Sequence, residues 1–216
     1  MDEVVQTKSI PPLFITIFLG ANDSCLPPSA AHVPLPEFEE HLRYYVDTIL
    51  ESKATQGTKV ILISPPPINL STPSKNNFHI PNLYEARLGS PKAAISYRTY
   101  LSKRGYAEKV MEIAKSYEAK TNLVAGIDLW IRMIEYGQVQ EKQEHEANPE
   151  TNALVETGRD EDALPGSGLA GAYKFSSDVF LDGLHLGPLG YDVLSTEILG
   201  LITTKWPEIA PETLRE

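Results

Sequence analysis

The sequence predicts an α/β fold built on a parallel sheet, and two observations carry that reading. Apolar runs rich in β-branched residues occur at 13–20 (LFITIFLG), 59–64 (KVILIS) and 122–130 (NLVAGIDLW). Each is a continuous apolar stretch rather than an alternating one, the pattern of a strand covered on both faces. Segments with apolar residues at helical spacing lie between and after these runs, and alternating strand and helix gives parallel pairing through right-handed crossovers.

The first run ends at Gly20. The segment 36–52 then places Phe38, Leu42, Tyr45, Ile49 and Leu50 on one helical face. The second run stops at Pro65-Pro66-Pro67, where absent N–H groups and a fixed φ end sheet pairing. A second helix is expected over 98–119, with Leu101, Val110, Ile113 and Ala114 at helical spacing. The last begins near Pro188, runs through Leu194, Ile198, Leu201 and Ile202 to Trp206, and is stopped by Pro207. Two stretches break the rhythm. Residues 65–97, rich in Pro, Asn and Ser, read as a loop that either borders a ligand site or is a surface excursion. Residues 137–177 combine a Gln/Glu-rich tract with GSGLAGA and read as an acidic, flexible insertion.

At 216 residues, 42% hydrophobic and 22% charged, the chain has the size and composition of one globular domain. Its net charge of −10 argues against partners recognised through phosphate backbones or anionic headgroups, which call for clustered Lys and Arg. Nine acids against Lys142 and Arg159 put −7 of that charge within 135–162, so the total says little about an active surface. Cys25 is the one cysteine, which excludes an intrachain disulfide, and no Cys/His spacing suggests zinc. The N-terminus lacks a basic flank leading into an apolar stretch, and 13–19 is too short to span a bilayer. A cytoplasmic location without membrane insertion is the expectation.

Two motifs carry chemistry. GANDS (20–24) follows the first strand, at the edge of an α/β sheet where ligand sites form. An Asn22 amide held there can donate to an oxygen that becomes negative when an acyl carbonyl is attacked; alone, the motif also fits an Asx turn closing the strand. Asp182-Gly183-Leu184-His185 stands just before the last helix. A carboxylate three residues before an imidazole can turn back to meet Nδ1, the arrangement a general base requires; alone, it more readily fits a turn aspartate beside a surface histidine. His32, His41, His79 and His145 have no comparable setting.

In order along the chain, IFLGANDSCLP, VPLPEF (33–38) and DGLHLGPLGY resemble the SGNH (GDSL-type) hydrolases, and within them the isoamyl acetate-hydrolysing esterases. The resemblance spans 13–206 apart from the insertion before Asp182. It implies a flavodoxin-like three-layer α/β/α sandwich, an ester hydrolase acting on small esters such as acetates, and no metal or organic cofactor. It further implies that Asn22 serves the oxyanion hole, that His185 is the base and that Asp182 orients it. The family's Gly-Asp-Ser block, which carries the nucleophilic serine, is not found, nor is the block whose glycine completes the oxyanion hole. Two such βα units would occupy roughly 60 residues, whereas about a dozen precede the first strand. Residues 1–216 are therefore read as a partial hydrolase domain that lacks its first strands and its nucleophile. Ser24 is set aside as a substitute, because nucleophile and oxyanion amide come from different strands in the family. The strand at 13–20 would then be an exposed apolar edge, open to self-association or to pairing with another chain.

Overall fold

A computed structural model describes residues 10–70, 98–147 and 160–215. Three strands, β1 (Phe14–Ile17), β2 (Lys59–Ile63) and β3 (Val124–Ile127), form a parallel sheet in the order β1-β2-β3. Ile15 stands opposite Val60, and Ile61 opposite Ala125. The helices are α1 (Leu35–Glu51), α2 (Tyr100–Glu118), α3 (Leu129–Ala147) and α4 (Pro188–Lys205).

Alternation within β2 divides the core, since successive side chains of a strand point to opposite faces. Val60 and Leu62 join Ile17 and Val124 against Phe38, Leu42 and Val46 of α1 and Val110 and Ile113 of α2. Ile61 and Ile63 face the other way, with Ala125 and Ile127, onto Leu129 and Met133 of α3, Leu194 and Ile202 of α4, and Trp206. The result is the three-layer α/β/α arrangement the sequence predicts.

The two outer strands are finished differently. On β3, the Gly126 N–H donates to Glu118 Oε1 at 2.8 Å, and Glu118 lies 3.5 Å from Lys205, so a charged side chain occupies the place of a neighbouring strand. On β1, the Leu13 carbonyl accepts from Lys59 N–H, and the alternation of parallel pairing turns the peptide groups of Phe14 and Thr16 outward. Among the described residues no strand meets that edge. Phe14, Phe18 and Leu19 remain 37%, 38% and 44% exposed. A groove of about 560 Å³ runs between β1 and α1, lined by Thr16, Phe18, Tyr44, Tyr45, Thr48 and Ile49.

The sequence reading needs correction at its third apolar run. The third apolar run is a strand only from Val124 to Ile127; Asp128 Oδ1 accepts from Ile131 N–H at 3.1 Å and caps α3, which begins at Leu129. Of the segment expected to be a flexible insertion, 137–177, residues 137–147 and 160–177 are described. Residues 137–147 continue α3, because Gln, Glu and Lys are good helix formers. Residues 160–177 are packed: a Cβ at Gly137 would lie 2.6 Å from Pro165, Phe175 is buried, and Gly166 C=O accepts from Leu70 N–H at 2.8 Å. Residues 148–159 and the loop at 71–97 lie outside the described residues.

Lys103 of α2 is 1% exposed, and its Nζ has no hydrogen-bond partner among the described residues. Burial, and then the neighbouring Arg98, bring its amine from an ordinary 10.5 to about 7, with Cys25 opposing them. Between those values the unfolded chain binds a proton that the folded chain does not, so stability rises as pH is raised from about 7 to 10.5 and is lowest below 7. Urea denaturation of Lys103→Met across that range is expected to show a more stable protein near pH 6 and a loss of most of the slope between pH 7 and 10.

Candidate active site

The carboxyl end of the sheet gathers the loops that carry both motifs. Leaving β1, the chain turns on itself: Gly20 N–H donates to Asp23 Oδ2 at 3.0 Å, Ser24 N–H to Gly20 C=O at 3.1 Å, and Cys25 N–H to Asn22 C=O at 2.9 Å. Asn22 is exposed on this turn, and its Oδ1 accepts from Arg98 Nη2 at 2.9 Å. Ser24 points inward, 2% exposed, with its hydroxyl 3.3 Å from Ala21 C=O.

The second motif closes a narrow hairpin. Phe180 and Leu186 form an antiparallel bridge with both side chains in the core, and Leu181 N–H donates to His185 C=O at 2.9 Å. Leu184 packs on the buried cluster of Ile68, Tyr100 and Trp130. Gly183 C=O accepts from Asn69 N–H at 2.8 Å, which ties the hairpin to the loop leaving β2. Gly183 has φ +84°, and a Cβ there would stand 2.7 Å from the Asn69 carbonyl oxygen, so this position admits only glycine without displacement.

Within that hairpin Asp182 does two jobs. Its Oδ1 accepts from the backbone N–H groups of Leu184 and His185 at 3.0 and 2.9 Å, while Oδ2 lies 2.8 Å from His185 Nδ1. The backbone bond from His185, the imidazole bond and the backbone bond from Leu184 hold the carboxyl well below its usual range. An ionised carboxylate only accepts, so Nδ1 carries the proton and Nε2 presents a lone pair outward. The two side chains are 71% and 56% exposed for His185 and Asp182. Because the folded carboxyl titrates below its ordinary 3.8, its contribution to stability is complete above that value and is lost as pH falls through the depressed one.

The structure thus joins Asp182 to His185 and places Asn22 on the same edge of the sheet, with no hydrogen bond between Asn22 and His185. Among the described residues no hydroxyl or thiol is bonded to His185, and no group of three or more His, Cys, Asp or Glu side chains could hold a metal ion. No helix among them is long and apolar enough to cross a membrane. Arg98 is the site residue that sequence reasoning passed over; its one signal is its place immediately before Thr99, the N-cap of α2.

A parallel α/β sheet with an amide after one strand and a carboxylate–imidazole pair before the last helix is the framework of an SGNH-type hydrolase. The family described as GDSL-like Lipase/Acylhydrolase matches residues 2–198, and the chain belongs to it. A GDSL esterase/lipase of Arabidopsis thaliana is 33% identical over 132 residues, 56% of this chain and 45% of the relative. Another from the same plant is 27% identical over 155 residues, 68% and 58% of the two chains. The bovine isoamyl acetate-hydrolyzing esterase 1 homolog is 44% identical over 59 residues, 26% of this chain and 23% of the relative. The chain spans about half the length of the two plant relatives.

Replacing Asp182 by Asn puts an amide where the imidazole now finds a carboxylate. The proton is expected to move from Nδ1 toward Nε2, read as exchange of the two ¹⁵N shifts of His185, while Gly183→Ala is expected to cost about 1–3 kcal/mol in denaturant unfolding. An unchanged tautomer in Asp182→Asn contradicts the assignment of the pair.

Proposed function

We propose that this chain provides the oxyanion and base side of an ester hydrolase acting on small carboxylic esters such as acetates. The observation that carries the reading is the Asp182–His185 contact of 2.8 Å, made by a carboxylate that two backbone N–H groups already fix. In the reaction, His185 Nε2 takes the proton of a hydroxyl as its oxygen attacks the acyl carbon, and the imidazolium that forms is stabilised by Asp182. The carbonyl oxygen becomes an oxyanion, and the Asn22 amide donates to it. The same imidazolium then gives its proton to the departing alcohol; in the second half, His185 deprotonates the water that releases the acid and restores the hydroxyl. The attacking serine is supplied by a segment other than these 216 residues. Names of the relatives support the ester class, and the shared stretch with the isoamyl acetate-hydrolyzing esterase homolog supports small acyl groups.

Two experiments test this. A fluorophosphonate probe is expected to leave the chain alone unlabelled, and labelling of Ser24 contradicts the assignment. Fused to a segment carrying a Gly-Asp-Ser block, the chain is expected to hydrolyse p-nitrophenyl acetate, with kcat falling about 10³-fold or more in His185→Ala and about 10²–10³-fold in Asn22→Ala. Equal turnover by a His185→Ala fusion rules the reading out.

A second reading is favoured by the edge of β1, which no strand meets among the described residues. On it, the fold serves as a non-catalytic interaction protein whose outward peptide groups and flanking apolar groove take up another strand, including the same edge of a second copy. Sedimentation velocity is expected to show self-association of the wild-type chain and a shift to monomer in Thr16→Lys, whose charge would lie at the edge. A wild-type chain that stays monomeric at high concentration counts against self-pairing.

A further inference from the structure

We propose that Arg98 is a positioning residue that determines which end of the Asn22 side-chain amide faces the active site. The inference rests on the reading of Asn22 as oxyanion donor and identifies what makes it one. An asparagine amide is nearly symmetrical in shape, so its oxygen and its NH₂ can exchange by a half-turn about χ2, and only one orientation donates to an acyl oxygen. The backbone of the turn does not choose between them. Its bonds run between Gly20, Asp23, Ser24 and Cys25 and the peptide carbonyl of Asn22, and none engages the Asn22 side chain.

Arg98 does engage it, with Nη2 donating to Asn22 Oδ1 at 2.9 Å. A guanidinium has five donors, no acceptor and a permanent charge, so the atom turned toward it must be the amide oxygen. Nδ2 is thereby directed away from Arg98. The charge also polarises the amide, drawing density onto Oδ1 and making the NH₂ a stronger donor.

The arginine is itself held in register with the turn. Thr99, the next residue, caps α2 by accepting from Ser102 N–H at 3.0 Å. From the first turns of the same helix, Ser102 Oγ donates to Ser24 C=O at 2.8 Å and Tyr106 O–H donates to Val33 C=O. Turn and helix end are therefore joined at two points, Ser102–Ser24 and Arg98–Asn22, and the second is the one that involves the amide.

The test reads the amide directly and needs no turnover. In the ¹⁵N-labelled chain the Asn22 Nδ2 protons are expected as a resolved, ordered pair. Arg98→Met should move that pair to the shifts of a free asparagine amide and raise its solvent exchange about tenfold, the scale of one lost charge-assisted hydrogen bond. Arg98→Lys, which keeps charge and one donor geometry, should give an intermediate spectrum. The Trp206 indole, bonded to Asn122 C=O at 2.7 Å, should not move in either variant. An Asn22 pair unchanged in Arg98→Met overturns the proposal. If that variant does not fold, Arg98→Lys decides it: an Asn22 pair that alone shifts supports the proposal, and one that does not shift overturns it. His185→Ala serves as the separating control, since it removes the base of the proposed reaction and should leave the Asn22 pair as in wild type; failed hydrolysis and failed positioning are then read independently.

Discussion

The proposed ester hydrolysis depends on the Asp182 carboxylate accepting three hydrogen bonds at once. Two come from the backbone of its own hairpin and one from the imidazole it orients. The backbone bonds keep the carboxylate ionised and fix its plane, and an ionised carboxylate in that plane leaves His185 one tautomer. Turn and dyad are therefore one structure: Oδ1 closes the loop and Oδ2 aims the base. Gly183 makes the hairpin sharp enough to fit beneath the Asn69 carbonyl, and Leu184, Phe180 and Leu186 fasten it to the core.

The sheet supplies the other half of the arrangement. Parallel strands end on one edge, so the turn after β1 and the loop after β2 open on the same side, and Asn69 links that side to the dyad hairpin. The β3 flank is sealed by Glu118, while among the described residues no strand meets the β1 flank, which borders an apolar groove. That asymmetry suits both functional readings, since a strand laid on β1 would extend the sheet next to the loop that carries Asn22.

Much of this was legible in the residues. The three apolar runs became the three strands, and the helices at 36–52, 98–119 and 188–206 were read to within two residues or so, because β-branched runs and helical spacing are local signals. The Asp182–His185 pair was legible only together with the other motifs in order along the chain, since its spacing alone also fits a turn aspartate beside a surface histidine. The start of α3 was not: Asp128 both ends an apolar run and caps a helix, and the run conceals the boundary. The continuation of α3 through Ala147 and the close fit of Gly137 against Pro165 and Phe175 were not legible, because packing across the chain is not visible in a local window. Arg98 meets Asn22 over 76 positions, a distance at which no sequence pattern speaks.

The central claim is that Asn22 and His185 address one small molecule. Titrating the ¹⁵N-labelled chain with acetate, the product of the proposed reaction, tests it at both groups together. The account predicts that the Asn22 Nδ2 protons and the His185 Nε2 resonance move along one binding curve. Separate affinities, or a response at only one of the two, would contradict it.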